Sequence, residues 1–202
     1  MSTGKKLHGA GKSSFELLNV DRVFQALSLT PSTVFLDLGC GEGNYSLAAA
    51  KLMGPQAVVY AVDAWREGLE ELKRRAASNG LLNIITINAN LNEHIPLEDA
   101  TVDVCFIATV LHDLLRESTG ETALAEIARV LRPAGRLCIV EFKKIEDGPG
   151  PPLSVRLSPE ETEKIIKPFG FIKDRIIEVG PFHYLLTASP VPRRSGEGSA
   201  TF

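Results

Sequence analysis

From position 34 onward the chain alternates between two hydrophobic patterns. Short, nearly continuous apolar runs fall at residues 34–38, 57–62, 84–88, 102–108 and 136–142. Between them, apolar positions recur at helical spacing over 44–53, 65–78 and 121–130. Short apolar runs bounded by turn residues predict strands, and i, i+3, i+4 spacing predicts helices. Gly54-Pro55, Asn79-Gly80, and Pro133 with Gly135 stop the three helices. The run at 102–108 is apolar almost throughout, as expected of a strand with both faces covered. Ahead of this series, Phe15, Leu18, Val23 and Ala26-Leu27 predict one amphipathic helix over 15–27, ended by Thr30-Pro31-Ser32.

After position 142 the rhythm changes. Residues 143–157 are rich in Gly and Pro and read as a loop. Ser158 followed by Pro159 is a strong helix start, with the serine as N-cap and the proline at the first helical position. Two further strand patterns, 171–179 and 182–188, are separated only by Gly180-Pro181. That gap leaves no room for a crossover helix, so the two strands should pair antiparallel. The expected fold is α/β: a three-layer, Rossmann-like sandwich with a mostly parallel seven-stranded sheet and a C-terminal antiparallel hairpin. Residues 1–14 are expected to be a flexible segment or lid, 15–188 the single domain, and 189–202 a disordered tail rich in Pro, Arg, Gly and Ser.

Composition adds exclusions. The chain has 202 residues, 44% apolar and 23% charged, with a formal net charge of −3. That balance gives no general drive toward nucleic acid or anionic membrane. No apolar run approaches a membrane span and none resembles a signal peptide. Cys40, Cys105 and Cys138 are widely spaced and odd in number, which suggests reduced thiols in a cytoplasmic protein. His8, His94, His112 and His183 show no metal-ligand spacing, so no metal site is expected.

The chemistry concentrates in residues 34–46, Val-Phe-Leu-Asp-Leu-Gly-Cys-Gly-Glu-Gly-Asn-Tyr-Ser. A strand ends near Asp37, glycines follow at 39, 41 and 43, and a helix begins. Bare glycine backbone at such a turn lets a ligand lie close. A dinucleotide fingerprint would place its third glycine at position 44, which is Asn44. Asp37, just before the first glycine, would repel a pyrophosphate and attract a cation. S-adenosylmethionine carries a sulfonium and an ammonium and suits that order.

Residues 34–46 resemble the first motif of class I S-adenosylmethionine-dependent methyltransferases. The resemblance extends over about residues 15–188. Val59-Tyr-Ala-Val-Asp63 resembles the second strand, whose terminal acid holds the ribose hydroxyls. Residues 95–108 resemble the lead into the fourth strand, and 126–136 the helix and turn before the fifth. The motifs are of the ubiquinone/menaquinone-biosynthesis-like, type 11-like kind. The resemblance implies S-adenosyl-L-methionine as cofactor and S-adenosyl-L-homocysteine as product. It implies Asp37 at the methionine amino end and the turn amides of Leu38, Gly39, Cys40 and Gly41 at its carboxylate. Asp63 would grip the ribose, with Ala64 and Trp65 following. Asn90 and Leu91 would contact adenine, and Ala108 and Thr109 would close over the methionine portion.

His112 and Asp113 follow the fourth strand. Methyl transfer depends mainly on proximity and orientation, and a base matters only where the acceptor must lose a proton. His112 is the candidate, as base or acceptor ligand; the other reading is a helix start capped by Asp113. Glu141, Lys143, Lys144 and Arg156 form a charge run beyond the fifth strand, read as a solvated face rather than an acid-binding site. Ala108-Thr-Val-Leu111 lacks the Asn/Asp-Pro-Pro-aromatic stretch of amino-N methylating enzymes, and the cysteines lack an arsenic-binding pattern. A small-molecule acceptor is therefore expected. A non-catalytic S-adenosylmethionine-binding sensor or partner subunit is the alternative. Asp37 and Asn44 argue against a nicotinamide oxidoreductase. The sequence leaves the oligomeric state open, a homodimer included.

Overall fold

The computed structural model describes residues 13–191 apart from 92, 118 and 147. The elements run α1 Val20–Leu27, β1 Val34–Leu38, α2 Asn44–Met53, β2 Val58–Asp63, α3 Arg66–Ser78, β3 Ile84–Asn88 and β4 Val102–Ala108. They continue with α4 Leu111–Arg116, α5 Gly120–Val130, β5 Leu131–Phe142, α6 Pro159–Ile166, β6 Phe171–Glu178 and β7 His183–Pro190. One seven-stranded sheet has the order β3-β2-β1-β4-β5-β7-β6. β1 to β5 pair parallel, while β7 pairs antiparallel with both β5 and β6. The expected architecture is therefore the observed one.

Apolar clusters cover both faces of the sheet, a third and smaller one holding Leu69, Leu72 and Ala76 of α3 against Ala61. One face packs Leu36, Leu38, Cys105, Ile107, Ile139 and Leu186 against α5 and α6. The other packs Phe35, Val59, Phe106, Cys138, Val140 and Leu185 against α1 and α2. Alternate residues of each strand go to opposite faces, which is why the central strands read as unbroken apolar runs. Among the described residues, no helix is long and apolar enough to cross a membrane.

Four expectations need correction. The helix over 15–27 is two pieces, a 3-10 turn Phe15–Leu17 and then α1. The break is at Leu18-Asn19, where Asn19 turns extended, caps α1 by accepting from the Arg22 amide, and donates its own amide to the Val179 carbonyl at 2.6 Å. Helical spacing continues across the gap because Phe15 and Leu18, both half-buried, pack against the same core as α1. The fifth strand starts earlier, at Leu131, through a register shift opposite Val102 and Val104. α4 is the helix start that His112-Asp113 offered as the alternative reading, but its N-cap is Val110 and Asp113 lies inside it. Ser189 and Pro190 belong to β7, where the tail was expected to begin. Ser14 is buried and shares a 3.0 Å hydrogen bond with the Tyr45 hydroxyl, while residues 1–12 of the expected lid, His8 included, lie outside the described residues.

Candidate functional site

The carboxyl ends of β1, β2, β3 and β4 open onto one cavity of about 800 Å³. β1 and β4 are adjacent, and the chain leaves them in opposite directions across the sheet. That is the switch point at which open α/β sheets bind ligands.

The glycine turn forms the cavity floor. Gly39, Gly41 and Gly43 have φ of 77°, 55° and 73°. A Cβ on Gly39 would come within 2.7 Å of Val110, and one on Gly43 within 2.3 Å of Leu72. A Cβ on Gly41 would meet nothing within 4 Å, because that edge faces the cavity. The turn amides are largely committed. Gly39 and Cys40 donate to the Val62 carbonyl, Gly43 to the Cys40 carbonyl, and Gly41 to Asp63 Oδ2 at 2.8 Å. These amides are therefore not available to a ligand carboxylate as expected; the turn offers close approach instead.

Asp63 ends β2. Its Oδ1 accepts the Trp65 amide at 2.7 Å while Oδ2 holds Gly41. The carboxylate thus supports both the glycine turn and the start of α3. Each oxygen has a second lone pair for a diol. Ala64, Trp65, Asn90 and Leu91 line the same end of the cavity, and the Asn90 amide donates to Glu93 Oε1 at 3.0 Å.

Asp37 and Leu38 lie behind the floor rather than in it. Leu38 is wholly buried, and Asp37 is 1% exposed, accepting from the Ser46 hydroxyl at 2.5 Å. Burial pushes the Asp37 carboxyl up to about 7; the Ser46 bond acts the other way, and the nearby Asp63 charge adds to the rise. Cys40 faces the cavity as a thiol held well above its ordinary value, again chiefly by burial.

At the end of β4, Ala108 and Thr109 line the cavity wall. Thr109 has φ of 56°, an unusual conformation for a β-branched residue. Its amide is held by the Val140 carbonyl at 2.8 Å and its hydroxyl by the Ala108 carbonyl at 2.7 Å. Strain of this kind persists where the surroundings impose it, commonly at ligand sites. α4 follows and carries His112 on the cavity wall. Its Nδ1 lies 2.7 Å from Glu141 Oε2, and its backbone amide donates to Glu141 Oε1 at 3.2 Å. Asp113 does not cap the helix. It pairs with Arg116 at 3.1 Å and approaches His112 Nε2 at 3.8 Å. Burial opposes a charge on His112, but the hydrogen bond and charge of Glu141, with Asp113, outweigh it and raise the imidazole above its ordinary value.

Glu141 and Arg156 are not part of a solvated face. Glu141 is fully buried, and Arg156 sits in a cage of main-chain oxygens. The Arg156 guanidinium donates to the carbonyls of Lys143, Ile145, Pro149 and Pro151 and lies 5.7 Å from the centre of the Phe142 ring. This anchors the loop that brings Gly150, Pro151 and Pro152 to the cavity. The sequence reading missed both roles, because a charge run signals burial only once its partners are known. Lys143 and Lys144 do pair at the surface, with Glu178 and Glu161.

The cavity fits S-adenosylmethionine. Its volume lies toward the upper part of the roughly 300–1,000 Å³ range of ligand pockets. The floor tolerates close approach at Gly41, and a doubly accepting carboxylate stands at Asp63. Val110, Leu114, Phe142, Pro151 and Pro152 line the same cavity as His112.

A family model described as "Methyltransferase domain" matches residues 36–139. The ubiquinone/menaquinone biosynthesis C-methyltransferase UbiE of Paraburkholderia phymatum is 31% identical over 149 residues, covering 67% of this chain and 58% of that protein. An uncharacterized 37.1 kDa protein in transposon TN4556 of Streptomyces fradiae is 34% identical over 121 residues, covering 59% of this chain and 33% of that protein. The chain thus spans between a third and about three fifths of the length of these curated relatives. The crystal structure of a SAM-dependent methyltransferase from Aquifex aeolicus superposes with a TM-score of 0.80 at 32% identity, covering 89% of this chain and 93% of that one.

Proposed function

The chain belongs to the class I S-adenosylmethionine-dependent methyltransferases, and from that premise we propose that it methylates a small-molecule acceptor held beside His112. The observation that carries this reading is the division of one cavity into two unlike ends. One end has Asp63, the glycine turn, Asn90 and Leu91; the other has the His112 imidazole between apolar Val110, Leu114 and Phe142 and charged Asp113, Arg116 and Glu117.

When bound, S-adenosylmethionine supplies an electrophilic methyl carbon on a sulfonium. Asp63 would hold the ribose hydroxyls, Asn90 and Leu91 the adenine, and Ala108 and Thr109 the methionine portion. Asp37 would act from beneath the turn, as a charge rather than a contact. The walls at Val110, Leu114, Phe142, Pro151 and Pro152 suit an apolar ring. Relatives named as C-methyltransferases of ubiquinone/menaquinone biosynthesis support a cyclic organic acceptor of that kind. A non-catalytic cofactor sensor would need no base, and the buried His112–Glu141 pair favours catalysis over it. Three free, buried cysteines agree with a reducing compartment such as the cytoplasm.

Calorimetry with S-adenosylmethionine, on the wild type and Asp63→Ala, tests the reading, with NAD as control. Micromolar binding lost in the variant is expected. No binding, or tighter binding of NAD, overturns it.

A further inference from the structure

α4 starts without a side-chain cap of its own, because its N-cap residue is Val110. Glu141 fills that role from the end of β5, through the bond from the His112 amide to its Oε1. The same carboxylate takes the imidazole on its other oxygen. Glu141 is 0% exposed, and His112 is 6% exposed. Burying a carboxylate is costly unless it is strongly hydrogen-bonded. Here both oxygens are committed to one residue, its main chain and its side chain.

With the Glu141 carboxylate as acceptor, the neutral ring would carry its proton on Nδ1 and keep the Nε2 lone pair. Glu141 does not line the cavity, whereas His112 does. With Nδ1 turned to the sheet, Nε2 is the ring nitrogen left for the cavity side, near Asp113. The charged groups facing the ring are Glu141 from β5 and Asp113 and Arg116 from α4. Arg156 and His183 lie against Phe142, whose ring centre is 6.3 Å from that of His112.

We propose that Glu141 is a positioning residue for methyl transfer, fixing His112 in the Nδ1–H form so that Nε2 takes a proton from the acceptor. This rests on the methyltransferase reading of the site. It commits the acceptor to a class: a molecule that arrives with an ionisable O–H, N–H or activated C–H, not a thioether or a tertiary amine. The acceptor's X–H bond breaks and its proton goes to Nε2. The electron pair left on the acceptor forms the new bond to the methyl carbon. The sulfur–methyl bond breaks, and its pair returns to sulfur. The imidazolium that results is held by the Glu141 charge until solvent removes the proton.

Nitrogen-15 NMR of the histidine rings, on the S-adenosylhomocysteine complex, reads the tautomer directly. The expected result is His112 protonated on Nδ1, titrating above ordinary histidine. In Glu141→Gln the titration midpoint should fall by about one unit. 4-Nitrophenol is the probe for the acceptor end, since its ionised form absorbs visible light. Bound to the wild-type complex it should ionise as His112 becomes imidazolium. In Glu141→Gln the bound probe should stay neutral, with affinity at least about tenfold weaker at neutral pH.

A wild-type ring protonated on Nε2 overturns the proposal without any variant. So does a probe that binds equally and ionises equally in Glu141→Gln, which would leave Glu141 as a helix cap alone. Glu141→Asp, which keeps the charge, should restore probe ionisation; loss equal to that of Glu141→Gln also counts against the proposal. Failure of the wild type to bind S-adenosylmethionine would instead sink the methyltransferase reading, so the two failures are distinguishable.

Discussion

Ser46, in the first turn of α2, donates a 2.5 Å hydrogen bond to Asp37, the buried acid of β1. The bond crosses beneath the glycine turn and ties the strand to the helix that the turn joins. It also partly offsets the burial that raises the Asp37 carboxyl to about 7. A cation seated above the turn would favour the ionised form, so cofactor binding should release a proton near neutral pH. Affinity should therefore rise with pH, by at most about tenfold per unit, and level off above 7. Calorimetry in buffers of different ionisation enthalpy measures both; a flat affinity with no proton release would remove Asp37 from the binding balance.

The same group makes a stability prediction of opposite sign. The folded carboxyl titrates at about 7 against an ordinary 3.8, so the folded state holds an extra proton between those values. Stability without cofactor should then fall as pH rises from about 4 to 7. Asp37→Asn should remove that slope and be more stable above pH 7, by up to roughly 4 kcal/mol at about 1.4 kcal/mol per unit. It should also bind S-adenosylmethionine more weakly. Urea unfolding at pH 5 and 8 decides the first point; equal slopes in both proteins would refute it.

The three turn glycines should separate stability from binding. Gly43→Ala drives a Cβ into Leu72 of α3 and Gly39→Ala drives one into Val110, so both should lose about 2–3 kcal/mol. Gly41→Ala meets no atom, and should cost only the roughly 1–2 kcal/mol of a left-handed alanine. Its Cβ would project into the cavity, so its loss of cofactor affinity should exceed what its stability suggests. Melting curves with and without S-adenosylmethionine compare the three.

Most of the fold was legible in the sequence because five apolar runs alternate with helical periodicity, and Gly180-Pro181 leaves no space for a crossover. The cofactor end was legible for the same reason: a strand, an acid and spaced glycines are contiguous along the chain. The acceptor end was not. Glu141 and His112 are 29 positions apart and meet only because β5 ends beside α4. Arg156 reads as an ordinary surface charge until the loop folds around it. The break at Leu18-Asn19 was hidden because the hydrophobic period continues through it, while the deciding contact is with Val179, far along the chain.

Arg156 fixes the loop that forms the acceptor wall, so its loss should be felt at one end of the cavity. Arg156→Ala removes its hydrogen bonds to four carbonyls and its contact with Phe142. Affinity for 4-nitrophenol should fall several-fold, while S-adenosylmethionine binding stays within about twofold. Arg156→Lys should not rescue, since an ammonium cannot reproduce the planar fork. Equal weakening of both ligands would show that the loop supports the whole cavity.

His183 and Thr187 lie four residues apart on one face of β7 with Leu185 between them, and the side chains of both are buried without a hydrogen-bond partner among the described residues. The His183 ring lies tilted against Phe142, with ring centres 4.2 Å apart. Burial lowers His183 to about 4, with the Arg156 and Lys143 charges adding to the effect. The folded state therefore binds fewer protons than the unfolded chain between about 4 and the ordinary 6.5. Stability should fall as pH drops through that window. His183→Phe keeps the aromatic contact and removes the titration. It should flatten the acid limb, by on the order of 2 kcal/mol at pH 4, after discounting for screening. Thr187→Val removes an unpaired hydroxyl at constant shape and should add about 1 kcal/mol at every pH. Chemical denaturation of the two variants from pH 4 to 8 separates a pH-dependent gain from a uniform one. An unchanged acid limb in His183→Phe would mean that the histidine finds a proton partner in the folded protein.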